Sequence, residues 1–346
     1  MPHVSVVVPC YNYGHFLGEC VDSLLSQTGV EVDVLIIDDD SPDGSGDIAD
    51  ELANGDRVRS LRHARNRGHI ATYNEGLDLV EGEYVVLLDA DDVIAPGAFA
   101  RATQLMEANP SVGLVYGNPQ KFSLTVPTVP ATKVRSWSVW SGPAWIRAQC
   151  RRGLSIIYSP EVVMRNSVRR AVGGFRTELP HAGDLEMWLR IAAVADIGRV
   201  NGPDQAFRRV HSQSMMQTGY GTVLADLRGR LDAYETFFQH HASGLPDFAE
   251  LRDLSRRTTA IEALNWVCTT LHAGGPVDET VIQEYVAFAR EICPYAEKLR
   301  EWHEYTWFRH EAGGTRAVQS IRRHGFALRR NIRGRYTWQR WYWRGV

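Results

Sequence analysis

The amino-acid sequence predicts an α/β protein with a mixed, mostly parallel sheet flanked by helices and a helical C-terminal extension. Three observations predict it. Short apolar runs alternate with segments of helical spacing through the first hundred residues, as in βαβ units. Polar and acidic clusters follow those runs, where ligands bind in such sheets, beyond the carboxyl ends of the strands. From about Leu224 onward the apolar spacing is helical throughout.

The elements follow in order. Residues 3–8 form a buried strand and residues 16–27 a helix. Residues 32–37 are a second strand, residues 47–53 a second helix, and residues 57–62 a third strand. A helix over residues 70–80 leads to a fourth strand at residues 83–88. Residues 118–135 hold Pro119, Pro127 and Pro130 among Thr and Val, and read as a long loop of the kind that often serves as a lid. Residues 137–211 mix helices with short strands. There is no internal repeat.

The bulk composition narrows the function. The 346 residues suffice for one large domain or two ordinary ones. A net charge of -3 argues against a nucleic-acid binder, since phosphate contacts need a basic surface. No apolar stretch is long enough to span a bilayer, and residues 1–10 lack the basic start of a signal peptide. Cys10, Cys20, Cys150, Cys268 and Cys293 are scattered and without CxxC spacing, which predicts reduced thiols and a cytoplasmic protein.

The chemistry concentrates at strand ends. Asp89-Ala90-Asp91 follows the run Tyr84 to Leu88, and carboxylates there suit a hard divalent cation, which prefers oxygen ligands and neutralises a leaving diphosphate. The alternative is a solvated acidic turn, but three carboxylates in four residues repel one another unless a cation joins them. Asp38-Asp39-Asp40 repeats the pattern after Ile36-Ile37. A carboxylate there can accept the ring N–H of uracil while Tyr11 offers a stacking face, or the segment is a turn closed by Pro42, Asp43 and Gly44. Gly44-Ser45-Gly46 imitates a dinucleotide fingerprint, yet the three preceding aspartates would repel a pyrophosphate, so a turn into a helix is expected. Asp184 opens a helix, as an N-cap or as a general base. His211, beyond a strand, is structural or joins a metal or phosphate. Asp89-Ala90-Asp91-Asp92-Val93 also imitates the nucleophile motif of haloacid-dehalogenase-like phosphatases, but it follows the fourth strand rather than the first, and lysines are few.

Taken together, the N-terminal third resembles the family 2 glycosyltransferases of GT-A fold, a Rossmann-type sheet. The resemblance rests on Val4 to Asn12, Ser23-Leu24-Leu25-Ser26-Gln27-Thr28, Ile36 to Ser45, Asn66-Arg67-Gly68, Asn74-Glu75-Gly76-Leu77, Gly82-Glu83-Tyr84 and Leu88 to Asp92, in the family's order. Further on, Asp184 to Arg190 is similar to the family's acidic-aromatic helix start, and Arg209, His211 and Ser214 to its R-x-H-x-x-S pattern. The resemblance implies a sugar moved from a nucleotide diphosphate donor, most often a UDP-sugar, to an acceptor hydroxyl with inversion, as in bacterial polysaccharide or glycoconjugate synthesis. It implies that Pro9, Tyr11, Asn12, Asp39, Arg67, Asp89 and Ala90 hold the nucleotide. Asp91 and His211 would serve a divalent cation, Mn2+ or Mg2+, and Asp184 would be the catalytic base. Two residues depart from the pattern. Cys10 replaces a small polar residue, and Gly183 replaces an acidic neighbour of the base, which leaves Glu178 and Glu186 as alternative bases. A metal for the leaving group and a carboxylate for the attacking hydroxyl are what breaking a sugar–phosphate bond requires.

This reading divides the chain into a catalytic domain at residues 1–217, with a nucleotide-binding half at 1–117 and an acceptor half at 118–217, and a helical region at 218–346. The acceptor is a sugar, a lipid-linked molecule or a small molecule. Residues 316–346 carry nine arginines, no acidic residue, and Phe326, Tyr336, Trp338, Trp341, Tyr342 and Trp343. Such a tail suits peripheral contact with an anionic membrane face, or docking on the protein itself. A DxD-type phosphatase and a catalytically inactive nucleotide-binding protein of the same fold are the other functional readings.

Overall fold

The computed structural model describes residues 1–212, 222–241, 245, 247–274, 278–309, 325–330, 332, 334–336 and 339–340. Ser214 and, in the tail, Arg316, Arg322, Arg323, Arg333, Trp338, Trp341, Tyr342, Trp343 and Arg344 lie outside the described residues. The chain divides into two compact units, residues 1–146 with 156–219, and residues 147–155 with 220–344.

The first unit begins with four parallel strands, β1 (His3–Cys10), β2 (Glu31–Asp38), β3 (Val58–Arg62) and β4 (Tyr84–Leu87). Helices α1 (Gly14–Leu25), α2 (Ser45–Leu52) and α3 (His69–Leu79) connect them. Val4, Val6, Val8, Val34, Ile36 and Val86 are fully buried in one core, because strands covered on both faces are apolar almost throughout. The sheet runs β3-β2-β1-β4-β8-β6-β9-β5 and has nine strands among the described residues. Its second half comprises β5 (Val93–Ile94), β6 (Val112–Phe122), β7 (Ser136–Trp140), β8 (Val163–Arg165) and β9 (Asp196–Arg209), with β7 paired antiparallel to β9. β8 runs antiparallel to both β4 and β6, while β6 and β9 are parallel. Helices α4 (Ala98–Ala108), α5 (Gly142–Arg152), α6 (Asn166–Val172) and α7 (Gly183–Val194) complete this part of the chain.

Two expectations need correction. β6 continues through Phe122, so residues 118–122 are strand and the irregular segment is shorter than expected. The register shifts around residues 116–119 let Pro119, which has no N–H to give, remain in the ladder. Second, β9 is not short: it runs 14 residues with most of its length buried. Its buried polar side chains are partnered: Gln205 accepts from Arg101 Nε at 2.8 Å, Asn201 donates to Ser138 Oγ at 2.8 Å, and Asp204 accepts from the Ala131 amide at 2.8 Å.

The second unit contains α8 (Val223–His241), α9 (Phe248–Ala273), α10 (Glu279–Ile292) and α11 (Arg300–Arg309). Leu227, Leu264, Val267, Ile282, Val286, Phe288 and Phe308 form its core, which Phe326 joins. Trp266 stacks on Tyr285 with centroids 3.9 Å apart, and Asp278 caps α10 by accepting from the Thr280 amide at 2.9 Å. No helix among the described residues is long and apolar enough to cross a membrane.

Candidate active site

The carboxyl ends of β3, β2, β1 and β4 lie side by side, and short backbone bonds hold them in line. The Asp39 amide donates to Cys10 O at 2.9 Å, the His63 amide to Asp38 O at 2.9 Å, and the Leu88 amide to Val7 O at 3.0 Å. Everything that follows those strand ends therefore faces one rim.

Asp39 is the best-held group on it. Its Oδ1 accepts from His63 Nδ1 at 2.6 Å and from the Arg67 amide at 2.8 Å, and its Oδ2 from the Gly68 amide at 2.8 Å. Burial pushes the carboxyl up, but His63 and the two amides outweigh it and hold it below its ordinary value. His63 Nε2 lies 3.1 Å from Glu75 Oε2, and the Arg67 guanidinium pairs with the same Glu75. Arg67 thus meets Asp39 through its backbone, while its side chain goes to Glu75. Tyr11, directly after β1, stands 46 % exposed. Pro9 belongs to β1 and is half-buried. Asn12 adopts a left-handed φ of 62° and donates its amide to Ser41 Oγ at 3.0 Å, and its own buried Oδ1 has no partner among the described residues. Gly44 to Gly46 form the expected turn into α2, with Ser45 Oγ accepting from the Gly14 amide at 2.7 Å.

The second cluster follows β4. Asp89, Asp91 and Asp92 each offer a carboxylate oxygen, and these atoms lie within 4.8 Å of one another. The Ala90 side chain between them is buried in the core. Asp89 Oδ1 accepts from Tyr73 OH at 3.2 Å. Burial, then the neighbouring Asp91 charge, push the Asp89 carboxyl up to about 6, and the same two causes raise Asp92 well above its usual range. All-oxygen donors crowded against their own charge fit a hard divalent cation. His211 Nε2 lies 2.9 Å from Asp91 Oδ2, so the structure brings together the two residues expected at the metal. Its ring packs against Tyr13 and Phe16, with centroids 5.4 and 5.5 Å away. The strand end is pinned by Arg209, whose amide donates to Asp92 Oδ1 at 2.8 Å and whose Nε donates to Asp91 O at 2.9 Å.

Asp184 lies on α7, but it does not cap it: Ala182 takes the cap position with a φ of 56°, and Asp184 Oδ1 accepts from the Leu185 amide at 2.7 Å. Burial pushes the Asp184 carboxyl up, against the pull of that amide. Its negative charge adds to the upward push on both the Tyr73 hydroxyl and the Asp89 carboxyl. The alternative bases are otherwise engaged. Glu186 is fully buried and accepts from Arg190 Nε at 2.8 Å and from Arg176 Nε at 2.9 Å, while Glu178 is exposed and reaches Arg176 at 3.5 Å.

His63 and Tyr73 belong to this rim and escaped the sequence reading, while Glu75 was singled out only as part of Asn74-Glu75-Gly76-Leu77, without a role. His63 was findable, since it directly follows β3 as Asp39 follows β2. Tyr73 sits inside a helix, and nothing in its spacing marks it.

Residues 5–164 match the model of Glycosyl transferase family 2. The Bacillus subtilis uncharacterized glycosyltransferase EpsJ is 37 % identical over 109 residues, covering 32 % of this chain and 32 % of that protein. The chain spans about a third to a half of the length of the first curated relatives it matches. Among solved structures, residues 1–349 of Staphylococcus aureus TarS in complex with UDP-GlcNAc align with a TM-score of 0.59 at 16 % identity, over 89 % of this chain and 90 % of that one. The Pyrobaculum calidifontis mannosyltransferase PcManGT, in complex with GDP-Man and Mn2+, aligns with a TM-score of 0.56 at 18 % identity, over 89 % of this chain and 84 % of that one. These likenesses show a shared fold.

Proposed function

Since the chain belongs to glycosyl transferase family 2, with the GT-A fold, we propose that it moves a sugar from a nucleoside diphosphate donor, a UDP-sugar, to an acceptor hydroxyl with inversion. The observation that carries this reading is the placement of two acidic sites along one strand-end rim: Asp39, clamped by His63, Arg67 and Gly68, and the trio Asp89, Asp91 and Asp92 with His211. TarS with UDP-GlcNAc and PcManGT with GDP-Man and Mn2+ are precedents on the same fold.

Asp39 accepts the ring N–H of the base, and Tyr11 stacks on it. Pro9, Asn12, Arg67 and the backbone at Ala90 line the rest of the nucleotide site, and Asp89 faces the ribose. Asp91 and His211 would hold a divalent cation, Mn2+ or Mg2+, which when bound neutralises charge on the diphosphate. Asp184 takes the proton of the acceptor hydroxyl as it attacks the anomeric carbon. Burial suits this task, because a carboxylate poorly solvated in its charged form is a stronger base. The acceptor is a sugar, a lipid-linked molecule or a small molecule, and the aromatic-arginine tail places the enzyme on an anionic lipid surface.

The test is release of UDP from a panel of UDP-sugars with Mn2+, beside calorimetry of UDP binding to the parent and to Asp91→Asn. Donor-dependent UDP release is expected, with Mn2+-dependent UDP binding at least tenfold weaker in the variant. Phosphate released from a phosphomonoester with no action on any donor would favour the DxD phosphatase. UDP binding without turnover would favour an inactive nucleotide-binding protein. Equal binding by Asp91→Asn would remove the metal assignment.

A further inference from the structure

The end of β9 carries two arginines with opposite fates. Arg209 is buried and fully engaged, with Asp91 O, Glu19, and the rings of Phe16 and Phe122. Arg208, on the other face of the strand, has no side-chain hydrogen bond or ion pair among the described residues. Its guanidinium lies over the Tyr158 ring, 4.8 Å from the centroid. Lys121 is its register partner on the parallel strand β6, so both side chains leave the same face of the sheet. The Lys121 ammonium lies 5.6 Å from the centroid of the same Tyr158 ring, and it too has no ion pair among the described residues.

Two cations side by side on one aromatic ring repel each other, and the ring offsets only part of that repulsion. An anion between them would remove it, and the planar guanidinium suits the oxygens of a phosphate or carboxylate. The nearby acids leave that place open. Glu161 is buried, and neither of its carboxylate oxygens has a hydrogen-bond partner among the described residues. Burial pushes its carboxyl well above the usual range, which disfavours the charged form that would pair with Arg208. Arg208 directly precedes Arg209, whose amide donates to Asp92 Oδ1 at 2.8 Å, so this end of β9 adjoins the acidic cluster. The opposite face of the strand end is the one Arg209 turns toward Asp91 and Glu19.

We propose that Lys121, Arg208 and Tyr158 form an anion-binding subsite for a phosphate or carboxylate group carried by the acceptor. The proposal rests on the glycosyltransferase reading for the word acceptor, but not for the binding itself. The subsite selects acceptors whose attacking hydroxyl lies within a few bonds of an anionic group, and it holds that hydroxyl near Asp184. Neutral sugars would lack this anchor.

The experiment uses the full chain with Mg2+, with and without saturating UDP, titrated in parallel with methyl phosphate and with acetate. Variants are Arg208→Gln, Lys121→Gln and Arg208→Lys, each checked by melting temperature. At least one anion is expected to bind the UDP-loaded parent, with Kd raised at least tenfold by Arg208→Gln and by Lys121→Gln and partly restored in Arg208→Lys. UDP affinity should stay within twofold of the parent. Phosphate binding alone identifies a phosphorylated acceptor, and acetate binding alone a carboxylated one. If the parent fails to bind UDP, the functional reading fails, and the nucleotide-free titration still decides the subsite by the same variant pattern. Absence of anion binding, equal anion binding by parent and variants, or a tenfold loss of UDP affinity in Arg208→Gln overturns the proposal, the last by assigning Arg208 to the donor diphosphate.

Discussion

Replacing Asp39 with alanine should destabilise the first unit by about 3 kcal/mol at pH 7. The substitution leaves three donors without their acceptor: the His63 ring N–H and the amides of Arg67 and Gly68. A donor left unpaired costs about 1–3 kcal/mol, and the two amides sit where water reaches them, so the lower end applies to each. Asp39→Asn should cost less, about 1–2 kcal/mol, because its carbonyl still accepts from one of the two amides, which bond different oxygens in the parent, and His63 can move its proton to Nε2, facing Glu75, to accept from the new NH2. The pH dependence carries a sign. The folded carboxyl is held below its ordinary value, so its contribution is complete above the unfolded pKa of about 3.9. It is lost as pH falls through the folded value. Urea titrations from pH 7 down to 3.5 should show a constant gap between parent and variant to about pH 5, narrowing below about 4. A gap under about 0.5 kcal/mol at pH 7, or one that widens with acid, would refute the reasoning and reduce Asp39 to a turn residue.

Asp184→Asn should lower turnover by about a hundredfold with melting temperature and UDP affinity nearly intact, since Asp184 does not cap α7. In the parent, the acid limb of the turnover profile should lie above the ordinary Asp range, because burial raises this carboxyl; an acid limb at or below that range would count against Asp184 as the base. Glu186→Gln should destabilise by about 3 kcal/mol, because Arg176 and Arg190 lose their shared buried anion, while UDP affinity of the folded fraction holds; a shift in melting temperature of less than a degree would contradict this. For the tail, deleting residues 316–346 is a poor test, since Phe326 packs in the helical core. Arg330, Arg335 and Arg344 changed together to Gln should instead reduce sedimentation with anionic vesicles, and equal sedimentation would favour docking on the protein.

β1, β2 and β4 were legible because each carries a concentrated apolar stretch, Val6 to Val8, Val34 to Ile37 and Tyr84 to Leu87, and the site is legible for the same reason: its residues follow those stretches. Asp39, Asp89 and Asp91 are read from position alone. The second half of the sheet hides its strands. The end of β6 contains Pro119 and the exposed pair Gln120 and Lys121 before Phe122, so it reads as loop. In β9, Asn201, Asp204 and Gln205 are buried polar residues with partners outside the strand, Asn201 with Ser138 of β7, Asp204 with the Ala131 amide and Gln205 with Arg101 of α4. Only the folded chain supplies those partners. Arg208 was invisible as a separate group for a related reason, because its register partner Lys121 is far away in sequence.

One clasp determines where this protein could be recombined. Asn74 holds Phe175 by both ends of its amide, donating to Phe175 O at 2.8 Å and accepting from Phe175 N at 2.6 Å. The preceding residue, Tyr73, is the one that touches Asp89. The loop that leads into α7 is therefore fastened to the helix that carries the hydroxyl on Asp89. A chimera joined near residue 117, taking its later residues from a relative, inherits a loop without its fastener unless the relative's Asn74 equivalent and its neighbours on α3 come too. Libraries meant to change acceptor choice should treat α3 and residues 173–184 as one cassette, crossing over on either side of both.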